Sequence, residues 1–578
     1  MSSVCGVAMA AIGAAVAAGG RSAEYNNTWA SLDSRPNPSW WSEIKFSVSL
    51  HWGVYSVPAY SVSQSSSSTA DPTQGTAPYA EWYWHNMGGP TGPDNSTTGE
   101  YHRSAFGADF TYEDFASQFR AELYNDAADW ADLFKASGVQ AAVLTSKHHD
   151  GYELWPSPNA YSWNSVDVGP KQDLVGAFLK SIRAAGMHAG LYHSVFEWFN
   201  PLYRGSNPEQ YVDQKLIPDL HQIVTDYAPD VLLMDGEWEH PSDFWKTRDF
   251  LAWLFNESPI KDTVVVDDRW GSETRGKHGG VFVCENGMFS PFCDGAGAAT
   301  GQVHDWMYWA TQARSWGMSR TEDDSQYKGA AFFVPLLTRT AAGGGSLMVN
   351  LGPTSDGRIP AMQSLTLREM GDWLNVNGAA IFNTTARPAG ARSEVTAKAD
   401  TFGVRRPGFT TVANTPPGGN GGTASISYHG TTASATACQA ACTAETSCLA
   451  YTWYDDTAGP YATMCYFQNA TGYTVLRQAT ATSGFRDFVE VHYTAALRSQ
   501  RPTLNAIVRP FPIDATLTLS SVLLPPTGKV TLLGLAPPAN GTLPFWSTSG
   551  GTVIAVPPIA PGQLPCEHAF TFVLEGVQ

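Results

Sequence analysis

The sequence predicts an α/β protein in which a (β/α)8-like barrel is followed by smaller modules, and two patterns carry this prediction. Short apolar runs alternate with amphipathic helical stretches from residue 40 to about residue 386, which is the order of a parallel sheet. Polar or aromatic residues follow nearly every run, as expected where the loops of a barrel meet on one face. A doubly wound open sheet is the alternative, although no glycine-rich nucleotide-binding motif follows the first strand.

The repeating unit can be followed along the chain as seven predicted strands and six predicted helices. The strands are Phe46–Leu50, Val139–Leu144, Met187–Tyr192, Val231–Met234, Val264–Val266, Val281–Cys284 and Leu347–Val349. The helices are Asp126–Ala136, Asp173–Ala185, Tyr211–Tyr227, Ser242–Phe255, Gly329–Thr340 and Met362–Val376. Strand–helix repetition over about 350 residues fits an eight-unit barrel.

The chain divides into five predicted segments. They are a signal peptide at 1–22, the barrel at 23–390, a linker at 391–428, a cysteine module at 429–488 and an antiparallel β-sandwich at 489–578. The cysteine module holds four of the eight cysteines, which indicates a local disulfide framework in an oxidising compartment. Frequent Pro and Gly breaks between short strands predict the sandwich. Those strands are Leu504–Val508, Ala515–Leu519, Val530–Leu533 and Phe570–Leu574.

The composition excludes some partners and suggests a compartment. The formal net charge is −18, and such an acidic surface repels the phosphates of nucleic acids. Residues 4–19 are an uncharged apolar run with the length of a signal-peptide core, and no later stretch is long and apolar enough to span a membrane. Six Asn-x-Ser/Thr sequons agree with passage through the secretory pathway, so we expect a secreted or lysosomal/vacuolar glycoprotein.

Two carboxyl groups at predicted strand ends are the main candidates for chemistry. Asp235 follows the buried run 229–234 and therefore lies at the mouth of the predicted barrel, and Glu285 ends a later run. Glycosidic cleavage requires two such groups, one to attack or stabilise the sugar and one to donate a proton. The alternatives are that Asp235 caps a helix or turn and that Glu285 pairs with Arg269 or Lys277.

Three histidines also follow predicted strands: His51, His148 and His149. Imidazoles and tryptophan walls supply the fixed donors, acceptors and apolar faces that sugar hydroxyls and rings need. Zinc binding is the other interpretation, but no HExxH or HxH spacing is present, and adjacent residues of an extended chain point in different directions. We therefore expect sugar binding and neither a metal nor a cofactor. A serine nucleophile is not supported, because no Gly-x-Ser-x-Gly turn is present.

Seven stretches together resemble family 29 of the glycoside hydrolases, the retaining α-L-fucosidases, and they follow the family's order. They are KFSVSLHWGVYSVPAY (45–60), PYAEWYWHNM (78–87), FGADFTYEDFASQF (106–119), TSKHHDGYELWPS (145–157), PDVLLMDGEW (229–238), VVVDDRWG (264–271) and LMVNLGPTSDG (347–357). The resemblance implies an exo-acting α-L-fucosidase that removes terminal α-L-fucose from glycans, glycoproteins or glycolipids by double displacement. A glycosidase that acts on α-L-galactosides is a further alternative.

The resemblance also implies residue roles by position. Asp235 matches the nucleophile. The other matching positions bind fucose or shape its pocket in the family: His51, Tyr79, Glu81, Trp82, His148, His149, Tyr192, Arg269 and Trp316. Trp316 is expected to contribute to an apolar wall for the C6 methyl group of fucose.

The position of the acid/base varies among members of the family. Two positions that carry this carboxyl elsewhere are occupied here by Met307 and Asn286, and neither side chain is an acid. Glu285 is the carboxyl that remains at a matching position and is the expected acid/base, with Asp294 and Asp305 as alternatives. The two missing acids also motivate a second hypothesis, a lectin-like protein that binds fucose without cleaving it.

The cysteine module resembles a PAN/apple module inserted between barrel and sandwich. The resemblance implies two disulfides, Cys438–Cys465 and Cys442–Cys448, and a protein or carbohydrate ligand for the module; a stapled insertion without a ligand is the other interpretation. Among the remaining cysteines, Cys284 and Cys293 form the most plausible further bridge.

Overall fold

The computed structural model describes most of the barrel and sandwich with side chains. These residues are 25–62, 79–90, 96–286, 304–387, 437, 490–496, 502–512, 516–535, 543–557, 559 and 564–577, and the backbone is also described for residue 91 and for the strands within 393–489. The predicted signal peptide, Asp294 and Cys293 lie outside the described residues, as do the side chains of the four cysteines of the module. Among the described residues, no helix combines the length and the apolar character that crossing a membrane requires.

Eight parallel strands form one sheet: β1 (Phe46–Leu50), β2 (Ala141–Lys147), β3 (His188–Ser194), β4 (Val231–Asp235), β5 (Val265–Val266), β6 (Phe282–Glu285), β7 (Trp306–Thr311) and β8 (Ser346–Leu351). Their spatial order is β5-β4-β3-β2-β1-β8-β7-β6, so consecutive strands are paired except β5 and β6, and β1 pairs with β8. This order is that of a curled barrel, and it confirms the predicted fold class.

Helices cover the outside of this sheet. They are α1 (Trp29–Leu32), α2 (Tyr83–Asn86), α3 (Thr97–Phe106), α4 (Ala128–Ala136), α5 (Leu174–Ala184), α6 (Glu209–Tyr211), α7 (Ile217–Tyr227), α8 (Ser242–Trp245), α9 (Thr247–Asn256), α10 (Ala330–Ala342) and α11 (Ala361–Asn377). A π-helical turn, Val212–Leu216, joins α6 to α7. Helical segments are present at all six predicted positions, but Ser242–Phe255 is divided at Lys246, which has φ 57°, and Tyr211–Tyr227 begins with the π-helical turn.

The barrel helices follow from their sequence pattern, as α5 illustrates. Asp173 caps its N-terminus by accepting a hydrogen bond from the backbone N–H of Gly176 at 2.9 Å. Its buried face is apolar at the three- and four-residue spacing of a helix, and it includes Leu174, Phe178 and Ile182. Inside the barrel, alternate strand residues such as Leu233 and Met348 form a second apolar cluster, because successive side chains of a strand point to opposite faces.

The seam between β5 and β6 is closed by side chains instead of a strand ladder. Among the described strands, β5 pairs only with β4 and β6 only with β7. Asp267 Oδ2 accepts from the N–H of Met234 at 2.9 Å, and Asp268 Oδ1 accepts from the N–H of Val283 at 3.3 Å. Two adjacent carboxyl groups therefore hold β4 and β6 on either side of the short strand β5, and they fix the residue that follows them, Arg269.

Strand β7 is the element of the barrel that the hydrophobic pattern missed. Its sequence, Trp-Met-Tyr-Trp-Ala-Thr, lacks the run of Val, Ile and Leu that marked the other strands. Aromatic side chains are compatible with a strand, but they do not mark a buried strand as consecutive aliphatic residues do. The structure pairs Met307–Thr311 with Ser346–Asn350 of β8.

The C-terminal part forms two antiparallel sheets. Their strands are β9 (Thr384–Ala386), β10 (Ser393–Ala413), β11 (Ile426–Thr431), β12 (Ala450–Tyr454), β13 (Met464–Gln468), β14 (Tyr473–Ala496), β15 (Thr503–Arg509), β16 (Thr516–Leu519), β17 (Lys529–Leu532), β18 (Phe545–Thr548), β19 (Gly551–Ala555) and β20 (Phe570–Glu575). Strands β16, β19 and β18 form the smaller sheet, and the others form the larger one. Side chains of both sheets share one apolar core, as the predicted sandwich requires.

Candidate active site

A pocket of about 460 Å3 lies at the C-terminal ends of the barrel strands. Ten of the eleven predicted site residues line it, and Tyr192 lies directly beside it. The lining residues are His51, Tyr79, Glu81, Trp82, His148, His149, Asp235, Trp238, Arg269, Arg275, Glu285, Trp309 and Trp316. Trp238, Arg275 and Trp309 were not predicted as site residues from the sequence.

One arginine joins the two carboxyl groups. Arg269 Nη1 donates to Asp235 Oδ1 at 2.9 Å, and Arg269 Nη2 donates to Glu285 Oε2 at 2.7 Å. Glu285 therefore does pair with Arg269, as the alternative interpretation expected. The same arginine also contacts Asp235, and all three side chains line the pocket. The side chains of Asp235 and Glu285 are 14 % and 13 % exposed, so a small molecule in the pocket can reach both.

The oxygens of Asp235 have different neighbours. Oδ1 faces two guanidinium groups, because Arg275 Nη2 lies 3.4 Å from it in addition to Arg269. Oδ2 accepts a hydrogen bond from the Tyr192 hydroxyl at 2.8 Å. Burial alone would raise the pKa of Asp235, but the charge of Arg269, with that of Arg275, outweighs burial and lowers the pKa to about 2. Asp235 is consequently an ionised carboxylate at neutral pH.

Gly236 turns the chain at the end of β4, so that Asp235 before it and Glu237 after it both contact Arg275. Gly236 has φ 81°, and a Cβ atom there would lie 2.5 Å from the ring of Phe196. After this turn, Glu237 is buried and forms an ion pair with Arg275. Glu237 therefore holds Arg275 beside Asp235.

The protonation of His51 follows from its neighbour Asn350. Asn350 Nδ2 donates to the carbonyl of Trp316 at 2.7 Å, which leaves Asn350 Oδ1 facing His51 Nδ1 at 2.7 Å. Because Oδ1 can only accept, Nδ1 carries the proton and Nε2 keeps its lone pair. Burial lowers the pKa of His51 to about 4, so the ring is neutral and can accept a hydrogen bond from a sugar hydroxyl.

His149 is oriented in the same way by Ser194. The Ser194 hydroxyl donates to the carbonyl of Phe196 at 2.8 Å and so accepts from His149 Nδ1 at 2.6 Å. His149 Nε2, 3.6 Å from Asp235 Oδ2, is therefore also an acceptor, since burial lowers the pKa of His149 to about 3. His148 Nδ1 is buried without a hydrogen-bond partner, and burial holds the pKa of its ring well below its usual range.

Glu81 lies in a 3-10 turn, Ala80–Trp82, that lines the pocket. Its Oε2 accepts from the backbone N–H groups of Trp316 at 3.1 Å and Gly317 at 2.9 Å, whereas its buried Oε1 has no partner. Burial raises the pKa of Glu81 to about 8, so the side chain is a neutral acid at neutral pH. An unpartnered polar oxygen in a polar pocket is suited to a sugar hydroxyl.

Aromatic rings supply the apolar part of the wall. Trp309 and Trp316 meet edge to face with centroids 4.8 Å apart, and the indole N–H of Trp309 donates to Ser49 at 2.6 Å. Trp238 lies at the other side, with its ring 5.6 Å from the guanidinium of Arg275. Trp238 could have been found from its place two residues after Gly236, whereas Trp309 lies on the unpredicted strand β7.

The alternative acids are not equivalent to Glu285. Asp305 precedes β7 and accepts from Asn37 Nδ2 at 2.8 Å, so it lies at the N-terminal end of the barrel, away from the pocket. Met307 is fully buried in the barrel interior. Asn286 accepts from the backbone N–H of Thr311 at 3.1 Å. Asp305 was thus a wrong alternative, because its strand presents it at the opposite face; Asp294 lies outside the described residues.

A buried ion network lies behind the two histidines. Glu153, Glu197 and Asp219 have oxygens close enough together to hold a metal ion, but the ammonium of Lys215 contacts all three. Lys147, which precedes His148, donates to Glu197 at 2.9 Å. The three carboxyl groups thus pair with the ammonium groups of Lys215 and Lys147, and Glu153 Oε2 has no hydrogen-bond partner.

One cysteine of the predicted disulfides, Cys284, lies among the residues whose side chains are described. Cys284 is disulfide-bonded, and its predicted partner lies outside the part of the chain that the structure describes. Cys566 is a free thiol.

Comparison with known proteins gives a consistent result for the barrel and the cysteine module. Residues 13–379 match the family profile described as Alpha-L-fucosidase, and residues 417–491 match that of the PAN domain. The chain is 41% identical over 372 residues to an alpha-L-fucosidase of Dictyostelium discoideum, covering 63% of this chain and 76% of the relative. It is 39% identical over 364 residues to the tissue alpha-L-fucosidase of Homo sapiens, covering 62% and 72%.

Solved structures share the fold. The alpha-fucosidase of Thermotoga maritima in complex with fucose has a TM-score of 0.62 at 24% identity, covering 95% of this chain and 100% of that chain. The family 29 alpha-L-fucosidase of Bacteroides thetaiotaomicron has a TM-score of 0.59 at 16% identity, covering 94% and 96%.

Proposed function

The chain belongs to the alpha-L-fucosidase family, and from this premise we propose that Asp235 is the nucleophile and Glu285 the acid/base of its reaction. The protein is an exo-acting retaining α-L-fucosidase that hydrolyses terminal α-L-fucose. The observation that carries the assignment of residues is the shared contact of both carboxyl groups with Arg269 inside one pocket. Retaining enzymes need their two carboxyl groups on opposite sides of a single anomeric carbon.

The proposed reaction has two steps. Asp235 attacks the anomeric carbon, the glycosidic C–O bond breaks, and Glu285 gives its proton to the leaving oxygen. Glu285 then takes a proton from water, the water oxygen bonds to the anomeric carbon, and the electron pair of the ester bond returns to Asp235. The two displacements together retain the configuration. The low pKa of Asp235 supports its role, since the nucleophile must be ionised.

The remaining pocket residues bind the sugar in this proposal. His51 and His149 accept hydrogen bonds from hydroxyl groups through Nε2, and Glu81 contacts another hydroxyl through Oε1. Trp316 and Trp309 provide an apolar face for the C6 methyl group. The hypothesis of a fucose-binding protein without activity finds no support in the comparisons, in which the curated relatives are named as fucosidases.

The substrate class, the cellular location and the role of the PAN-like module are proposed from the sequence. We propose that the substrate is a fucosylated glycan, glycoprotein or glycolipid, and that the enzyme is secreted or lysosomal/vacuolar. The apolar run at 4–19 and the sequons support this location. We propose that the PAN-like module binds a protein or carbohydrate ligand, and the match at 417–491 supports this role.

Substitution of the two carboxyl groups tests the mechanism. Asp235→Ala is expected to lose nearly all turnover of an aryl α-L-fucoside while it still binds fucose, because the covalent step is removed. Glu285→Ala is expected to lose most activity on glycans and to recover rate on an activated aryl fucoside when azide replaces the deprotonated water. Near-normal turnover by Asp235→Ala would refute the nucleophile, and the lack of azide rescue in Glu285→Ala would refute the acid/base.

A further inference from the structure

Arg275 was not singled out by the sequence, yet its guanidinium lines the pocket and faces the carboxylate of Asp235. Its Nη2 lies 3.4 Å from Asp235 Oδ1, the oxygen that also accepts from Arg269 Nη1 at 2.9 Å. The side chain of Arg275 is only 18 % exposed. Two positive charges therefore converge on one oxygen atom of the proposed nucleophile.

The backbone around Arg275 is held in place on both sides. Thr274 Oγ1 accepts from the N–H of Trp270 at 3.0 Å and is fully buried. On the other side, the N–H of Gly276 donates to Asp268 Oδ2 at 2.8 Å. Asp268 is the same residue that closes the barrel seam, so the loop that carries Arg275 is tied to the strand ends.

The side chain is fixed as firmly as the backbone. Glu237 forms an ion pair with Arg275 Nε through Oε1, and its Oε2 accepts from Nη2 at 3.3 Å. Such a two-pronged contact sets the plane of the guanidinium. Trp238 covers one side, with its ring centroid 5.6 Å from the guanidinium carbon. Arg275 is therefore preorganised toward Asp235 before any substrate enters.

We propose that Arg275 is a further catalytic residue, which stabilises the carboxylate of Asp235 as the covalent fucosyl-enzyme is hydrolysed. In that step the water oxygen bonds to the anomeric carbon, the ester C–O bond breaks, and its electron pair returns to Asp235 while the water proton passes to Glu285. Negative charge develops at the oxygens of Asp235, where fixed positive groups have their largest effect on rate. The inference rests on the proposed function, because it requires Asp235 to form the ester.

Arg275→Met tests this role through the balance between the two steps. On an activated aryl α-L-fucoside we expect kcat to fall by roughly tenfold or more, since a preorganised charge is lost. KM should fall in parallel, because slower hydrolysis makes the covalent intermediate accumulate, and a burst of aryl product should become visible. The kcat/KM value near neutral pH should change much less than kcat.

The pH profile is a second readout that a merely structural role would not move. Among the described residues, the titratable groups that act on Asp235 besides Arg275 are Arg269, His149, Tyr192 and His51, with Glu237 and Glu285 bound to the two arginines. Removal of one positive charge raises the pKa of Asp235, so the acid limb of kcat/KM should move to higher pH. Arg275→Lys keeps the charge and should leave that limb closer to the unsubstituted enzyme.

The controls separate this inference from folding and from the proposed function. Lys277→Met removes the same charge from an exposed position of the same loop and should leave kcat, KM and the acid limb unchanged. If Arg275→Met does not fold, the double variant Glu237→Gln/Arg275→Met avoids the orphaned buried carboxylate and is expected to give the same kinetics. The role of Arg275 is overturned if kcat and KM of Arg275→Met both stay within twofold of the unsubstituted enzyme. It is also overturned if kcat falls while KM and the acid limb of kcat/KM do not change.

Asp235→Ala, measured alongside, distinguishes the two failures. Retained activity in that variant overturns the nucleophile and with it the role of Arg275. An inactive Asp235→Ala variant, together with unaltered kinetics of Arg275→Met, overturns the role of Arg275 only.

Discussion

At the scale of single residues, neutral neighbours determine what the site histidines offer to a substrate. Asn350 donates a hydrogen bond to the carbonyl of Trp316, and Ser194 donates one to the carbonyl of Phe196. Each therefore presents an acceptor oxygen to the imidazole beside it. Because both rings are buried and neutral, each presents one lone pair to the pocket. Sugar hydroxyls can donate to these nitrogens without any change in protonation, which suits a site that must also hold the ionised Asp235.

The raised pKa of Glu81 can be tested through the pH dependence of stability. Burial raises its pKa in the folded protein to about 8, whereas the unfolded chain has a pKa of about 4.3. Between these values the unfolded chain releases a proton that the folded protein retains, so this group lowers stability as pH rises through the window and has no further effect above about pH 8.

We therefore expect Glu81→Gln to gain stability relative to the parent enzyme as pH rises from about 4.3 to about 8, with a slope of about 1.4 kcal/mol per pH unit. Urea unfolding of both proteins at several pH values measures this difference. Glu322→Gln is a useful comparison, since burial also raises the pKa of Glu322, and its side chain, like that of Glu81, accepts a backbone hydrogen bond. A difference between Glu81→Gln and the parent that does not vary with pH would contradict the raised pKa.

The residues that could and could not be predicted have a common explanation. His51, His148 and Asp235 follow strands whose apolar pattern is clear, and a barrel brings the ends of all its strands to one face. Arg275 is nine residues beyond the last residue of β5, in a loop without any periodic pattern. Its position depends on Asp268 and Thr274, whose hydrogen bonds only the folded loop reveals.

At the scale of elements, the same logic separates the strands that were predicted from β7. A strand that is buried on both faces is recognised by consecutive aliphatic residues, as in β4, whereas β7 is rich in aromatic residues. The two-residue strand β5 was predicted to within one residue, yet the way its seam is closed was not. Carboxyl groups that replace a strand ladder leave no signal in the hydrophobic pattern.

The π-helical turn between α6 and α7 carries the lysine of the buried ion network. Lys215 lies in this turn, is almost fully buried, and contacts Glu153, Glu197 and Asp219. Burial lowers the pKa of Lys215, but the three acidic neighbours outweigh burial and raise it. Glu197 also binds Lys147, so the network connects the outer helices to the end of β2.

Lys215→Met is expected to lower the free energy of unfolding by about 3–5 kcal/mol, because it leaves buried carboxyl groups without their counter-charge. Lys180→Met provides the matched control, since Lys180 is exposed on α5 and should change stability by no more than about 0.5 kcal/mol. Urea unfolding followed by circular dichroism gives both values. Equal losses in the two variants would mean that the network contributes nothing to stability.

At the scale of the whole molecule, the barrel and the sandwich are joined by a continuous buried contact. The indole N–H of Trp373, on α11, donates to the carbonyl of Ala569 at 2.8 Å. Thr494 of β14 donates to the carbonyl of Ala380 at 2.6 Å, and Ile507 of β15 packs within the core of the barrel. Side chains of one unit thus complete the core of the other, which predicts that the two unfold together.

Trp373→Phe tests this coupling with a small change. An aromatic ring is retained, but the smaller ring leaves a gap in the buried contact and the carbonyl of Ala569 loses its buried donor, so we expect a loss of about 1–3 kcal/mol. Trp546→Phe is the matched control, because Trp546 is 48% exposed on β18 and the same substitution should cost no more than about 0.5 kcal/mol. If the units are coupled, fucosidase activity and circular dichroism should be lost in one transition, which Trp373→Phe shifts as a whole. Two separate transitions, of which only one responds to Trp373→Phe, would show that the sandwich folds independently of the active site.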